Sequence, residues 1–126
     1  MKKIINTSNA PAPIGPYNQA ILSNGTLYIS GQIPLNPKSG KLVSGDIKKE
    51  TKQSMENLKA ILTEAEMTFE NVVKSSIFLS DMKQFTEVNE VYASYFNAET
   101  APARETVEVA NLPKFVNVEI SMIAVK

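Results

Sequence analysis

Arg104 and Glu119 are the two residues of this 126-residue chain whose types and spacing could do chemistry together. Arg104 lies in Pro102-Ala103-Arg104-Glu105-Thr106-Val107-Glu108-Val109, where a proline-led turn delivers a guanidinium to the start of a strand. Glu119 follows on the next apolar run. The connection Ala110-Asn111-Leu112-Pro113-Lys114-Phe115 is short, which predicts that the two runs pair as antiparallel neighbours with Glu119 roughly opposite residues 105 to 107. A fixed cation beside a carboxylate can grip a small carboxylate-bearing molecule and steer a water, because the planar guanidinium matches a carboxylate with two parallel hydrogen bonds. An ion pair that merely ties two strand ends together fits the same local pattern.

The residue inventory removes whole mechanisms. Cysteine and histidine are absent, which excludes disulfides, a thiolate nucleophile, Cys- or His-ligated metal and Ser-His-Asp catalysis. Acid–base work falls to carboxylates, Lys, Tyr, or backbone groups that position water. The 13 basic and 13 acidic side chains cancel, so there is little electrostatic drive toward phosphate backbones or anionic membranes. Nucleic acid is therefore not an expected partner. The length suits a single domain over residues 1–126. No apolar run has signal-peptide or membrane-span length, and a cytoplasmic location is the expectation.

The elements that must position these groups read as strands, a helix, a strand, a helix and two strands. Ile4-Ile5 suits a short edge strand, and Ala10-Pro11-Ala12-Pro13-Ile14-Gly15-Pro16 is stiffened by proline into an extended loop that ends at Tyr17. Asn24-Gly25 predicts a tight hairpin between Tyr17 to Leu22 and Leu27 to Ser30, and Gly31 then lets another group approach the backbone. A first helix is expected from Asp46, a good N-cap, to about Ala65, with Ile47, Met55, Leu58, Ile61 and Leu62 on its apolar face. A second should begin after Asp81, with Gln84 completing a possible capping box and Phe85, Val88, Tyr92, Tyr95 and Phe96 facing the core. Strands are expected over Val72 to Ser80, Glu105 to Ala110 and Val116 to Val125.

About six strands at roughly 4.8 Å spacing make a sheet whose one face two helices can cover. The other face has no helix left, yet Val116, Val118, Ile120 and Met122 alternate with Ile123 and Val125. Apolar residues on both faces predict burial by another subunit, hence a homo-oligomer with a site shared at the sheet edge.

Taken in order, Ala10-Pro11-Ala12-Pro13-Ile14-Gly15-Pro16-Tyr17, Ser30-Gly31-Gln32-Ile33-Pro34, Val88-Asn89, Pro102-Ala103-Arg104, Glu108-Val109 and Val118-Glu119-Ile120 resemble the Rid (reactive intermediate deaminase, YjgF-type) family, RidA subfamily, along almost the whole chain. The resemblance implies a chorismate-mutase-like α+β fold, with a roughly six-stranded mixed sheet and two helices on one face, assembled as a homotrimer with clefts between subunits. It further implies hydrolysis of 2-imino acids from pyridoxal-phosphate dehydratases to 2-keto acids and ammonia, with no cofactor and no metal. Carried over by position, Arg104 would grip the substrate carboxylate and Glu119 would hold or deprotonate water. Tyr17, Ser30, Gly31, Asn89 and Thr106 would line the substrate site.

Three positions depart from the family pattern. Thr106 stands where many relatives have cysteine, and its expected role there is through the main-chain carbonyl. Glu105 is unusual beside the arginine; strand alternation points it away from Arg104, but contact between them would compete with a substrate carboxylate. Glu66 replaces a glycine that commonly ends the first helix, at a cost of about a kcal/mol if the left-handed cap is kept. A carboxylate-binding regulatory module that uses the same cleft without turnover is the second reading, and a ribonuclease or translation inhibitor the third and weakest.

Overall fold

Local signals for turns and caps decide where the elements of the computed structural model begin and end; it describes all 126 residues. Asn24 and Gly25 adopt φ of 51° and 79°, the left-handed pair that a tight hairpin needs. They join β2 (Ala20–Ser23) to β3 (Thr26–Gln32), and β1 (Lys2–Ile5) pairs with β2 at the sheet edge. Tyr17 lies outside the hairpin, in the preceding loop. Buried Gln19 ties that loop down: its side-chain amide donates to the carbonyls of Thr7, Ala10 and Pro11, and its oxygen accepts from the Thr7 N–H.

Helix α1 (Ile47–Glu64) starts where the Asp46 carboxylate accepts the Lys48 and Lys49 N–H groups. It buries Met55, Leu58, Ile61 and Leu62. At its C-terminal end Glu66 is left-handed, with φ of 59°, and the Met67 and Glu66 N–H groups donate back to Leu62 and Thr63. This is a Schellman closure made without glycine. Strand β4 (Val72–Leu79) follows, then a 3₁₀ turn (Met82–Gln84) capped by Asp81 through the Lys83 N–H, and α2 (Phe85–Ala93). Gln84 makes no reciprocal side-chain bond, so the expected capping box is only half formed.

The sheet order is β1-β2-β3-β6-β4-β5, with β5 (Ala103–Glu108) parallel to β4 and the other pairs antiparallel. The expected pairing of the last two strands is therefore wrong, because β4 lies between β5 and β6 (Val118–Val125). Helix α2 works as the crossover of a β–α–β unit, which puts β5 beside β4 in parallel. The polar run Arg104-Glu105-Thr106 suits a sheet edge, while β6, apolar on alternate positions, takes the centre.

Both helices cover one face. Leu27, Ile77, Leu79, Val118, Ile120 and Met122 are buried there against α1 and α2. The opposite face carries Ile4, Tyr28, Val73, Val107 and Val125, all substantially exposed. No helix is long and apolar enough to cross a membrane.

Candidate active site

Arg104 is held by α2. It registers with Ser75 on β4, a buried residue of the helix-covered face. From one side of α2, Asn89 Oδ1 accepts from a guanidinium nitrogen at 2.7 Å, and the guanidinium carbon lies 4.9 Å from the Tyr92 ring centre and 5.7 Å from that of Phe85. Residues three and four apart on a helix share a face, so Phe85, Asn89 and Tyr92 act as one platform. The Tyr92 hydroxyl donates to Ser75 Oγ at 2.9 Å. Burial raises the Tyr92 pKa, partly offset by that hydrogen bond and by the nearby arginine. No carboxylate pairs with Arg104, since the ion pairs are Lys48–Glu90 and Lys74–Glu105. A guanidinium has five N–H donors, and most here remain for a ligand.

Glu105 does not compete for this cation. Its side chain lies on the open face, bonded to Lys74 at 2.8 Å and accepting from the Ser76 hydroxyl. The Lys74 bond first, then that of Ser76, pulls its pKa down. Thr106 shares the face of Arg104, and its buried hydroxyl has no hydrogen-bond partner.

Glu119 belongs to another constellation. Its neighbours on β6, Val118 and Ile120, are fully buried beneath the helices, so Glu119 points to the opposite face. There its carboxylate rests on the backbone of Gly31: a Cβ at residue 31 would lie 2.7 Å from Glu119 Cδ and 2.9 Å from an oxygen. The strand β3 is irregular at this point, between Ile29 and Gln32. Burial raises the Glu119 pKa above its ordinary value of 4.5. Ser30 donates its hydroxyl to the Asn18 carbonyl at 2.7 Å and its N–H to Gln19, which fixes the segment carrying Tyr17. Tyr17 is half exposed, and its hydroxyl accepts the Ile14 N–H at 3.3 Å.

The expected residues thus fall into two half-sites. Arg104, Asn89 and Thr106 lie on the helix side at the β5 edge; Tyr17, Ser30, Gly31 and Glu119 lie around the β3–β6 junction. Glu119 registers with Phe78 on β4 and Phe78 with Val107 on β5, three residues along from Arg104, so Arg104 and Glu119 are two strands apart and out of register, roughly 14 Å in the sheet plane, and on opposite faces. They do not form the adjacent pair that the spacing suggested. Tyr92 and Phe85, read from the sequence only as core, also cradle the guanidinium; their shared helix face with Asn89 was the available signal. Gln19 had no such signal, because its partners are loop carbonyls.

The family model for endoribonuclease L-PSP matches residues 7–126. A RutC family protein of Pyrococcus horikoshii is 53% identical, with 100% of this chain and 99% of the relative covered. The human 2-iminobutanoate/2-iminopropanoate deaminase is 45% identical over 126 residues, covering 100% of this chain and 91% of the relative. Among solved structures, a Rid family protein, YyfA of Yersinia pestis, superposes with a TM-score of 0.97 at 49% identity over 100% of both chains. E. coli TdcF with bound serine superposes with a TM-score of 0.92 at 40% identity over 98% of each chain.

Proposed function

Because this chain belongs to the endoribonuclease L-PSP family, the YjgF/Rid family, we propose that it hydrolyses 2-imino acids, the reactive products of pyridoxal-phosphate dehydratases, to 2-keto acids and ammonia. The observation that carries the reading is Arg104, a guanidinium oriented by Asn89 and Tyr92 and left without a carboxylate partner. It grips the substrate carboxylate in a bidentate pair. Relatives at 45% to 48% identity bear the name 2-iminobutanoate/2-iminopropanoate deaminase, which supports the substrate class.

The chemistry asks little of the protein. A protonated imine carbon is already electrophilic. Water adds to it as Glu119 takes the water's proton, giving a carbinolamine. The carboxyl returns that proton to nitrogen, the regenerated Glu119 carboxylate takes the hydroxyl proton, and C–N cleavage releases ammonia and the ketone. A carboxylate with a raised pKa is better matched to this exchange near neutrality than an ordinary one. Orientation of the water and substrate supplies most of the rest.

Since the half-sites lie on opposite faces of one sheet, the working site takes Arg104, Asn89 and Thr106 from one subunit and Tyr17, Ser30, Gly31 and Glu119 from another. A homotrimer with clefts between subunits is the proposed assembly, with the exposed apolar sheet face covered in it. Binding without turnover is the second reading, favoured by the likeness to TdcF with bound serine.

The test is keto-acid formation from an imine made in situ by an amino-acid oxidase or threonine dehydratase, with semicarbazide as the competing trap. Wild type should accelerate it, and Arg104→Ala and Glu119→Gln should each lose about 10²-fold or more. Absence of acceleration by wild type, with 2-keto acids still bound, would leave the binding reading.

A further inference from the structure

Ser75 is the one polar residue among the buried positions of β4, whose other members are Val72, Ile77 and Leu79, and it is fully enclosed. A hydroxyl in such a row is costly unless it is bonded. Its side-chain partner is the Tyr92 hydroxyl, which donates to Ser75 Oγ at 2.9 Å. Alanine and phenylalanine at the two positions would fill the same space with no polar group, so packing alone does not call for this pair.

Ser75 also stands in register with Arg104 on the neighbouring strand β5. The hydroxyl bond therefore fastens one end of the Tyr92 ring beside the strand position from which the arginine departs, and the ring centre lies 4.9 Å from the guanidinium carbon. Phe96 packs against the same ring, with 4.7 Å between centroids, and Tyr92 is only 5% exposed. A ring held at its hydroxyl and packed along its body has little freedom to move. Burial raises the Tyr92 pKa, so the phenol is neutral and meets the arginine as a ring under a cation rather than as an ion pair. Arg104 needs that support, since it is half buried on an edge strand and its side chain has several torsions to lose on ordering. The Asn89 bond at one nitrogen leaves the fork free to swing about that point, and the ring beside its carbon removes the swing.

We infer that Tyr92, tethered through its hydroxyl to Ser75, is a positioning residue for Arg104 that sets the direction in which the guanidinium meets the substrate carboxylate. The inference rests on Arg104 as the carboxylate grip of the deaminase reading. Both residues act through the arginine rather than on the substrate. The carboxylate is the same in the bound imine and in the carbinolamine, so a misaimed fork weakens both alike, and the loss appears in KM rather than in kcat.

The test compares wild type with Tyr92→Leu and with the double variant Tyr92→Phe/Ser75→Ala, which keeps the ring, removes the tether and leaves no buried hydroxyl unpaired. The first measurement is calorimetric binding of 2-oxobutanoate, which needs no turnover. Its Kd should rise about tenfold in Tyr92→Leu and about threefold in the double variant. The second is the trapping assay, in which KM should rise by the same factors while kcat stays within about twofold of wild type. The double variant should melt close to wild type, so it decides the question even if Tyr92→Leu does not fold. An unchanged Kd in the double variant, or a fall in kcat with KM and Kd unchanged, overturns the assignment. If wild type hydrolyses no imine yet binds 2-oxobutanoate with this dependence on Tyr92 and Ser75, the deaminase reading falls and the positioning role stands. If wild type hydrolyses the imine and the variants bind and turn over as it does, the positioning role falls alone.

Discussion

Gly31 and Glu119 show how much one missing side chain can decide. A Cβ at residue 31 would meet the end of a flexible carboxylate side chain rather than backbone, so Gly31→Ala should fold and push Glu119 aside. The expected result is a fall in kcat of about tenfold or more with a thermal midpoint close to wild type, read by the trapping assay and a melt. The raised pKa of Glu119 makes a separate prediction. Glu119 must be ionised to take a proton from water, and burial favours its neutral form. Activity should therefore fall as pH drops through a midpoint above the ordinary carboxylate value of 4.5. A profile of kcat against pH checks this, and Glu119→Gln should abolish that acid limb along with most of the rate. The types and numbers of these residues were legible in the sequence, as was the side that Glu105 faces, since strand alternation is local. That Arg104 would be stacked on Tyr92 was not legible, because the contact joins an edge strand to a helix that is separate in the chain.

Helix ends were the most readable elements, since a cap depends on a few neighbouring residues. Asp46 and Ala65 bound α1 as expected, and the left-handed cap is retained at Glu66 with φ of 59°. Replacing Glu66 by glycine relieves the Cβ penalty while keeping the Met67 and Glu66 bonds back to Leu62 and Thr63. Glu66→Gly should stabilise the protein by about 0.5–1 kcal/mol in denaturant unfolding, with the trapping-assay rate close to wild type, since the cap is remote from both half-sites. Strand existence was equally readable, but strand partners were not. A short proline-containing connection suggested a hairpin between β5 and β6, whereas α2 commits β5 to the far side of β4. Pairing is a contest among all strands for the buried centre, and loop length is one weak vote in it.

Whole-molecule consequences follow from the separation of the half-sites. If the two halves meet across subunits, an Arg104→Ala chain and a Glu119→Gln chain are each inactive but complementary. Co-refolded in equal amounts, they should regain activity at about one quarter of all sites, because a working site needs the intact half from each parent. Recovery that tracks subunit exchange supports shared clefts, whereas mixtures that stay inactive would place the whole reaction within one chain. The exposed apolar residues Tyr28, Val73, Val107 and Val125 are the surface that the proposed assembly would cover.

By itself the amino-acid sequence determined the mixed α+β class, the caps and turns, the apolar stripes and the chemical inventory that leaves acid–base work to carboxylates, Lys and Tyr, because each depends on composition or on spacing along one element. Only the tertiary structure decided that β4 separates Arg104 from Glu119, that the two face opposite sides of the sheet, and that Gly31 meets the Glu119 carboxylate and Tyr92 the Arg104 guanidinium. Those facts come from strand order and from contacts between distant segments. They are set by which surfaces the whole chain can bury together, a competition that local patterns do not record.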